Sequence, residues 1–140
     1  MKKKVLFICV HNSGRSQIAE VYLNKMGGEK FQAESAGFEP SENINPLVIE
    51  VMKEEGFDLS KNKPKSIFPL FKQGRLYDYV ITVCDNESEK KCPIFPGIVK
   101  RLHWPFPDPK NVEGTDRENL SKVRNIRDMI KQEIIREFSL

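Results

Sequence analysis

Apolar residues along this chain change their spacing several times, and each change marks an element. Val5, Leu6, Phe7 and Ile8 form an unbroken apolar run that ends at Cys9, the pattern of a short strand buried on both faces of a parallel sheet. From residue 16 to 26 the spacing turns helical, with Ile18, Ala19, Tyr22, Leu23 and Met26 on one side. Lys30 to Phe38 then alternates, setting Phe31, Ala33 and Ser35 against more polar neighbours. That alternation predicts a second strand ending in a Gly-containing turn. After a loop from Pro40 to Asn45, Pro46 stands at a helix start, Leu47, Val48, Val51 and Met52 make its apolar stripe, and Gly56 closes it.

The second half is less regular. Asp58 to Arg75 mixes lysines, prolines and phenylalanines and reads as loop, with a short helical turn from Ile67 to Phe71. Tyr77 to Val83 is the clearest later strand and delivers Cys84 to its C-terminal end. Val99 to Trp104 predicts a fourth strand, and residues 105 to 115 are rich in Pro and Gly. The chain finishes on one long amphipathic helix whose stripe is Leu120, Val123, Ile126, Ile130 and Ile134. Strands alternating with helices predict an α/β fold, a parallel sheet with helices on both faces. At 140 residues, one domain over 1–140 with a single core is expected.

The polar loop after the first strand carries the chemistry. It is opened by Cys9, closed by Arg15 and Ser16, and contains Val10, His11, Asn12, Ser13 and Gly14. Backbone N–H groups of a tight loop at a helix N-terminus form a nest for a tetrahedral oxyanion. Arg15 adds a bidentate fork for two of its oxygens. The same positive field favours a thiolate at Cys9, and Ser16 is placed to donate a hydrogen bond to it. Asn12 and Gly14 suit left-handed backbone angles, and Gly14 also permits close approach to the anion. Residues 9 to 16 are therefore expected to bind a phosphate-like anion and attack it.

Composition narrows the function without adding to it. A net charge of +3 and a pI ≈ 8.7, with both signs scattered, give no basic stripe for nucleic acid. No apolar run approaches the ~20 residues that span a bilayer. The opening MKKK is not followed by a signal-peptide pattern, so a cytoplasmic protein is expected. Three cysteines, an odd number, argue for reactive thiols over a static disulfide framework. His11 and His103 have no ligand partners at metal-binding spacing, and no metal site is expected. Cys84 and Cys92 flank a polar, charged loop without an apolar anchor. Such a loop lets one cysteine exchange disulfide partners, each within about 7 Å between Cα atoms.

The segment CVHNSGRSQIAE resembles the phosphate-binding loop of the low-molecular-weight protein tyrosine phosphatase fold, and more closely that of its thioredoxin-coupled arsenate reductase branch. The likeness extends through AESAGFEP, ITVCDNESEKKCP and HWPFPDP, and so covers most of the chain. It implies four strands in the order 2-1-3-4. It also implies Cys9 as nucleophile on arsenate, Asp108 as the acid that protonates the leaving oxygen, and a relay through Cys84 and Cys92. Thioredoxin would be the external reductant of a monomer without bound cofactor.

Some positions depart from the pattern. Gly14 stands where many relatives carry an extra cysteine, and His11 where the phosphatases often have glycine. In some reductases Asn12, Glu20 and Ser35 match potassium ligands, but the remaining position falls near Lys65, whose ammonium would supply its own charge. Lys110 and Asn111 follow Asp-Pro where phosphatases place ring-gripping aromatics. Two other readings stay open: a tyrosine phosphatase using only Cys9, Arg15 and Asp108, and a non-catalytic oxyanion sensor switched by a disulfide.

Overall fold

The computed structural model describes residues 2–84, 90, 95 and 100–140. Cys92 and most of the segment between Cys84 and Lys100 lie outside the described residues. The apolar run becomes β1 (Lys3–Cys9), with Val5, Leu6, Phe7 and Ile8 fully buried. Burial of each such side chain contributes about 1.5–3 kcal/mol, which makes β1 the natural centre of the sheet. It pairs in parallel with β2 (Phe31–Gly37) on one side and β3 (Tyr79–Thr82) on the other. β3 pairs with β4 (Lys100–His103), also in parallel. The order is β2-β1-β3-β4, the order the resemblance implies.

The helices follow the predicted stripes. In α1 (Arg15–Gly27) Ile18, Ala19, Tyr22 and Leu23 are buried, while Met26 is half-buried at the last turn. α2 (Pro46–Lys53) buries Val48, Val51 and Met52 and leaves Leu47 half-buried. Asn45 caps it, accepting the Leu47 N–H at 2.9 Å. The chain leaves α2 through a turn at Gly56, whose φ of +86° suits glycine. The turn expected at residues 67–71 is a short helix, α3 (Ile67–Lys72), capped by Ser66. The last helix, α4 (Asp116–Phe138), starts with a capping box between Thr115 and Glu118. Its stripe buries Val123, Ile126, Ile130 and Ile134, with Leu120 half-buried.

Boundaries moved at the later strands. The predicted strand Tyr77–Val83 contracts to Tyr79–Thr82, although Asp78 and Val83 still bond Lys4, Lys100 and Ile8 through their backbones. The aromatic rings of Phe31, Tyr79 and Phe138 meet edge to face at centroid distances of 4.8 to 6.3 Å. They fasten the end of α4 beside the start of β2 and β3. The opposite, C-terminal edge of the sheet is left for Cys9 and Cys84, which stand at the ends of adjacent strands.

Candidate active site

The loop after β1 owes its shape to hydrogen bonds on its outer side. The carbonyls of Cys9, Val10, His11 and Ser13 accept the N–H groups of Phe38, Glu39, Ser41 and Asn45, at 2.8 to 3.3 Å. The Gly14 carbonyl accepts Ile18 N–H and begins α1. In a trans peptide the C=O of one residue and the N–H of the next point in opposite directions. Carbonyls turned outward therefore turn the N–H groups of Val10, His11, Asn12, Gly14 and Arg15 inward. The Asn12 N–H confirms the direction, since it donates to Cys9 Sγ at 3.1 Å.

A second donor reaches the same sulfur. Ser16 Oγ lies 2.8 Å from Cys9 Sγ, and Asn12 Nδ2 donates to that Oγ at 2.7 Å. While its oxygen accepts from Asn12, the Ser16 hydroxyl keeps its proton free to donate to a Cys9 thiolate. Asn12 is held in place in turn. Its Oδ1 accepts from Gln17 Nε2 at 3.0 Å and from Lys65 N–H at 2.9 Å, which fixes the amide orientation. Its φ of +52° is the left-handed angle expected of it. Two groups donating to sulfur stabilise negative charge there.

The pocket above the sulfur is lined by Cys9, His11, Ser13, Gly14, Arg15, Asn45, Asp108 and Pro109. Five of the predicted loop positions thus reach it. Val10, Asn12 and Ser16 do not line it; Asn12 is fully buried behind the loop and works on Cys9 and Ser16 from there. Arg15 is 4 % exposed, and its Nη1 donates to the Phe106 carbonyl at 3.0 Å. Its Nη2 is 3.4 Å from Asp108 Oδ2. Asp108 Oδ1 accepts the Lys110 N–H and starts a short 3₁₀ turn (Pro109–Asn111). One carboxylate therefore holds a turn with one oxygen and faces the guanidinium with the other.

Gly14 departs from expectation. Its φ is −151°, so no left-handed angle explains the glycine. Space does: a Cβ there would meet Pro109 Cγ at 3.3 Å and Val48 Cγ2 at 3.4 Å. Cys84 is fully buried just past β3 and does not line the pocket.

The residues matched to a potassium site do not fit a cation. Glu20 accepts the Ser35 hydroxyl at 3.0 Å and lies 3.5 Å from the Lys65 ammonium, while Asn12 Oδ1 is filled by two N–H donors. Lys65 supplies the charge there itself.

Sequence reasoning missed three residues that build the site. Gln17 links Asn12 to Asn62. Gly37, read as a turn residue, lies against the loop: a Cβ would fall 2.6 Å from the Val10 carbonyl oxygen. Asn45, read as loop, caps α2 and lines the pocket; Asn before a helix-starting Pro was the signal that pointed to it.

Comparisons with known proteins agree with this geometry. Residues 4–138 match the family described as low molecular weight phosphotyrosine protein phosphatase. The chain is 38% identical over 135 residues to an arsenate reductase of Bacillus licheniformis, covering 96% of this chain and 94% of that one. Among solved structures it is similar to an arsenate reductase in the phosphate binding state, with 29% identity, a TM-score of 0.76 and coverage of 98% and 97%. It is also similar to a thioredoxin-dependent arsenate reductase of Corynebacterium glutamicum, with 33% identity and a TM-score of 0.66, covering 99% of this chain and 64% of that one. A thiol at the base of an N–H nest has an arginine and a carboxylate across it; with relatives that are arsenate reductases this chain is an enzyme, and it belongs to the low molecular weight phosphotyrosine protein phosphatase family.

Proposed function

We propose that this enzyme reduces arsenate to arsenite by thiolate displacement at Cys9, with the disulfide product recycled by thioredoxin in the cytoplasm. The observation that carries the reading is the Cys9 sulfur, with Asn12 N–H at 3.1 Å and Ser16 Oγ at 2.8 Å, at the base of a pocket walled by Arg15 and Asp108. The names of the relatives and the thioredoxin dependence of one of them support the substrate and the reductant.

Arsenate enters with its oxygens on the inward N–H groups and the Arg15 fork. Cys9 Sγ forms a bond to arsenic as an As–O bond breaks, and Asp108, entering this step as the carboxylic acid, gives its proton so that the oxygen leaves as water. The Cys84 thiolate then attacks Cys9 sulfur. The S–As bond breaks with its electron pair passing to arsenic, arsenite departs, and a Cys9–Cys84 disulfide remains. Cys92 attacks Cys84, frees Cys9 and leaves a Cys84–Cys92 bond, which the thioredoxin dithiol reduces by exchange.

A steady-state assay with arsenate, thioredoxin, thioredoxin reductase and NADPH tests the reaction. Cys84→Ser is expected to stall before any relay disulfide forms. Cys92→Ser is expected to release about one arsenite per enzyme, as three successive thiol steps require, and to stop with a Cys9–Cys84 bridge visible by peptide mass spectrometry. Repeated turnover by Cys92→Ser removes the last shuttle step. Unchanged turnover by both variants makes Cys84 and Cys92 bystanders and sinks the relay, whereas hydrolysis of an aryl phosphate without any arsenate reduction by the wild type leaves a phosphatase using Cys9, Arg15 and Asp108 as the surviving reading.

A further inference from the structure

Five large apolar side chains are exposed among the described residues, and three of them, Phe68, Phe71 and Leu76, fall within nine residues on and just after α3. Single apolar residues are ordinary on a surface, but a cluster of them marks a place where something binds. The core takes only Ile67 from this helix. Phe68 and Phe71, three residues apart, share its outer face.

Charge sets this patch apart. From Leu59 to Leu76 the chain carries Lys61, Lys63, Lys65, Lys72 and Arg75 and no acidic residue. Lys65 pairs with Glu20 and Arg75 with Glu34, which leaves Lys61, Lys63 and Lys72 without an ion pair among the described residues. Lys72 follows Phe68 by four positions and borders the two rings. A partner that complements the patch is apolar at its centre and acidic around it.

The identity of that partner follows from where the chain goes next. Phe95 is buried, and its ring meets Phe71 at 5.7 Å and Tyr77 at 5.6 Å, both edge to face. It stands three residues beyond Cys92, so the two Cα atoms are at most about 11 Å apart by any path. A transient redox encounter covers about 500 Å² of each partner, a disc about 13 Å in radius and wider than that tether. A protein whose thiol meets Cys92 therefore also reaches α3.

We infer that α3 is the docking surface for the reductant, a small dithiol protein with an acidic rim. Phe68, Phe71 and Leu76 form the centre of the surface and Lys72 its cationic edge. The inference rests on the proposed recycling of a Cys84–Cys92 bond. The exchange it serves is balanced: the partner's two thiols become a disulfide, and Cys84 and Cys92 take up the two electrons and two protons as thiols.

A chain carrying Cys9→Ser and oxidised with diamide tests this apart from arsenate, because Cys84–Cys92 is then the one bridge it can form within itself. Its reduction by thioredoxin is followed as NADPH consumption through thioredoxin reductase. Adding Phe68→Ser and Leu76→Ser together should raise the thioredoxin concentration needed for half-maximal rate by about tenfold or more, as loss of apolar anchors does. Lys72→Glu should slow reduction severalfold at low salt and remove most of its salt dependence. Reduction of the same bridge by dithiothreitol should be unchanged in every variant. An unaltered thioredoxin requirement in the Phe68→Ser, Leu76→Ser chain overturns the docking surface, as does equal slowing with dithiothreitol. Sedimentation of the wild type as a dimer that these two changes dissolve, or together with vesicles of phosphatidylserine and phosphatidylcholine, gives the patch to a second copy or a lipid surface and overturns it too. No reduction of the bridge by thioredoxin removes docking and recycling together. Reduction that depends on the patch, beside a Cys9 enzyme that turns over no arsenate, counts against the proposed reaction alone.

Discussion

The anion loop and the junction of α2 with α4 are both assembled from distant stretches of chain, by opposite means. Around the loop the main chain holds the main chain: Phe38, Glu39, Ser41 and Asn45 pin four loop carbonyls through backbone N–H groups. At the junction side chains hold side chains. Glu54 takes both Arg124, at 2.6 and 2.9 Å, and Arg127, at 2.8 Å, while Glu55 takes Tyr22 at 3.0 Å and Lys131 at 3.1 Å. Backbone bonds keep the N–H groups fixed to within a fraction of an ångström, as anion binding and in-line attack require. Half-exposed ion pairs steer helices together but are screened and adjustable. The enzyme places the rigid device where atoms react and the forgiving one where helices pack.

If that contrast is right, changes at the loop should be severe and local, and changes at the junction mild. Cys9→Ser should abolish arsenate reduction and any phosphatase activity, because a hydroxyl is a far poorer nucleophile than a thiolate; arsenite release measures it. Next comes Asp108→Asn, expected to slow the first chemical step by about 10²- to 10⁴-fold in single-turnover kinetics with anion affinity nearly kept. Gly37→Ala sharpens the comparison most directly, since it touches no reacting group. Its Cβ would fall 2.6 Å from Val10 O and 2.9 Å from Asn12 N. Backbone cannot swing aside as a side chain does, so a loss of about 1–3 kcal/mol in denaturant unfolding is expected, together with weaker protection of Cys9 by phosphate against alkylation.

The smallest effect belongs to the junction. Hydrogen bonds from Arg124, reinforced by Arg127 against partial desolvation, lower the Glu54 carboxyl from 4.5 to about 2. A depressed folded-state value contributes stability that is full above 4.5 and is lost as pH falls toward 2. Glu54→Gln should cost only about 0–1 kcal/mol at neutral pH and should flatten the decline in Tm over that acid window. A loss at neutral pH as large as that of Gly37→Ala would erase the distinction between the two regions.

Much of this protein was legible from the order of its residues, because burial leaves a mark on side chains. The run Val5–Ile8, the stripe of α1 and the stripe of α4 fall where their periods place them, and Cys9, Arg15 and Asp108 meet at one pocket. The buried Arg127 broke the α4 pattern: polar in sequence, it sits in the apolar stripe because Val51 O and Glu54 satisfy its guanidinium from another helix. Gly14 was read for its backbone freedom, whereas its surroundings show a close fit, in which a Cβ would press on Pro109 and touch Val48.

What the sequence by itself determined is the set of elements and the reactive groups, since hydrophobic spacing and functional side chains are written residue by residue. Only the tertiary structure decided which way the loop's peptides face. Their direction is set by N–H groups of residues 38 to 45, and a backbone N–H is the same on almost every residue, so it leaves no trace in the letters. The same holds for His11: its identity was plain, but the proton on Nδ1 follows from the carbonyl of Glu39, 28 residues away.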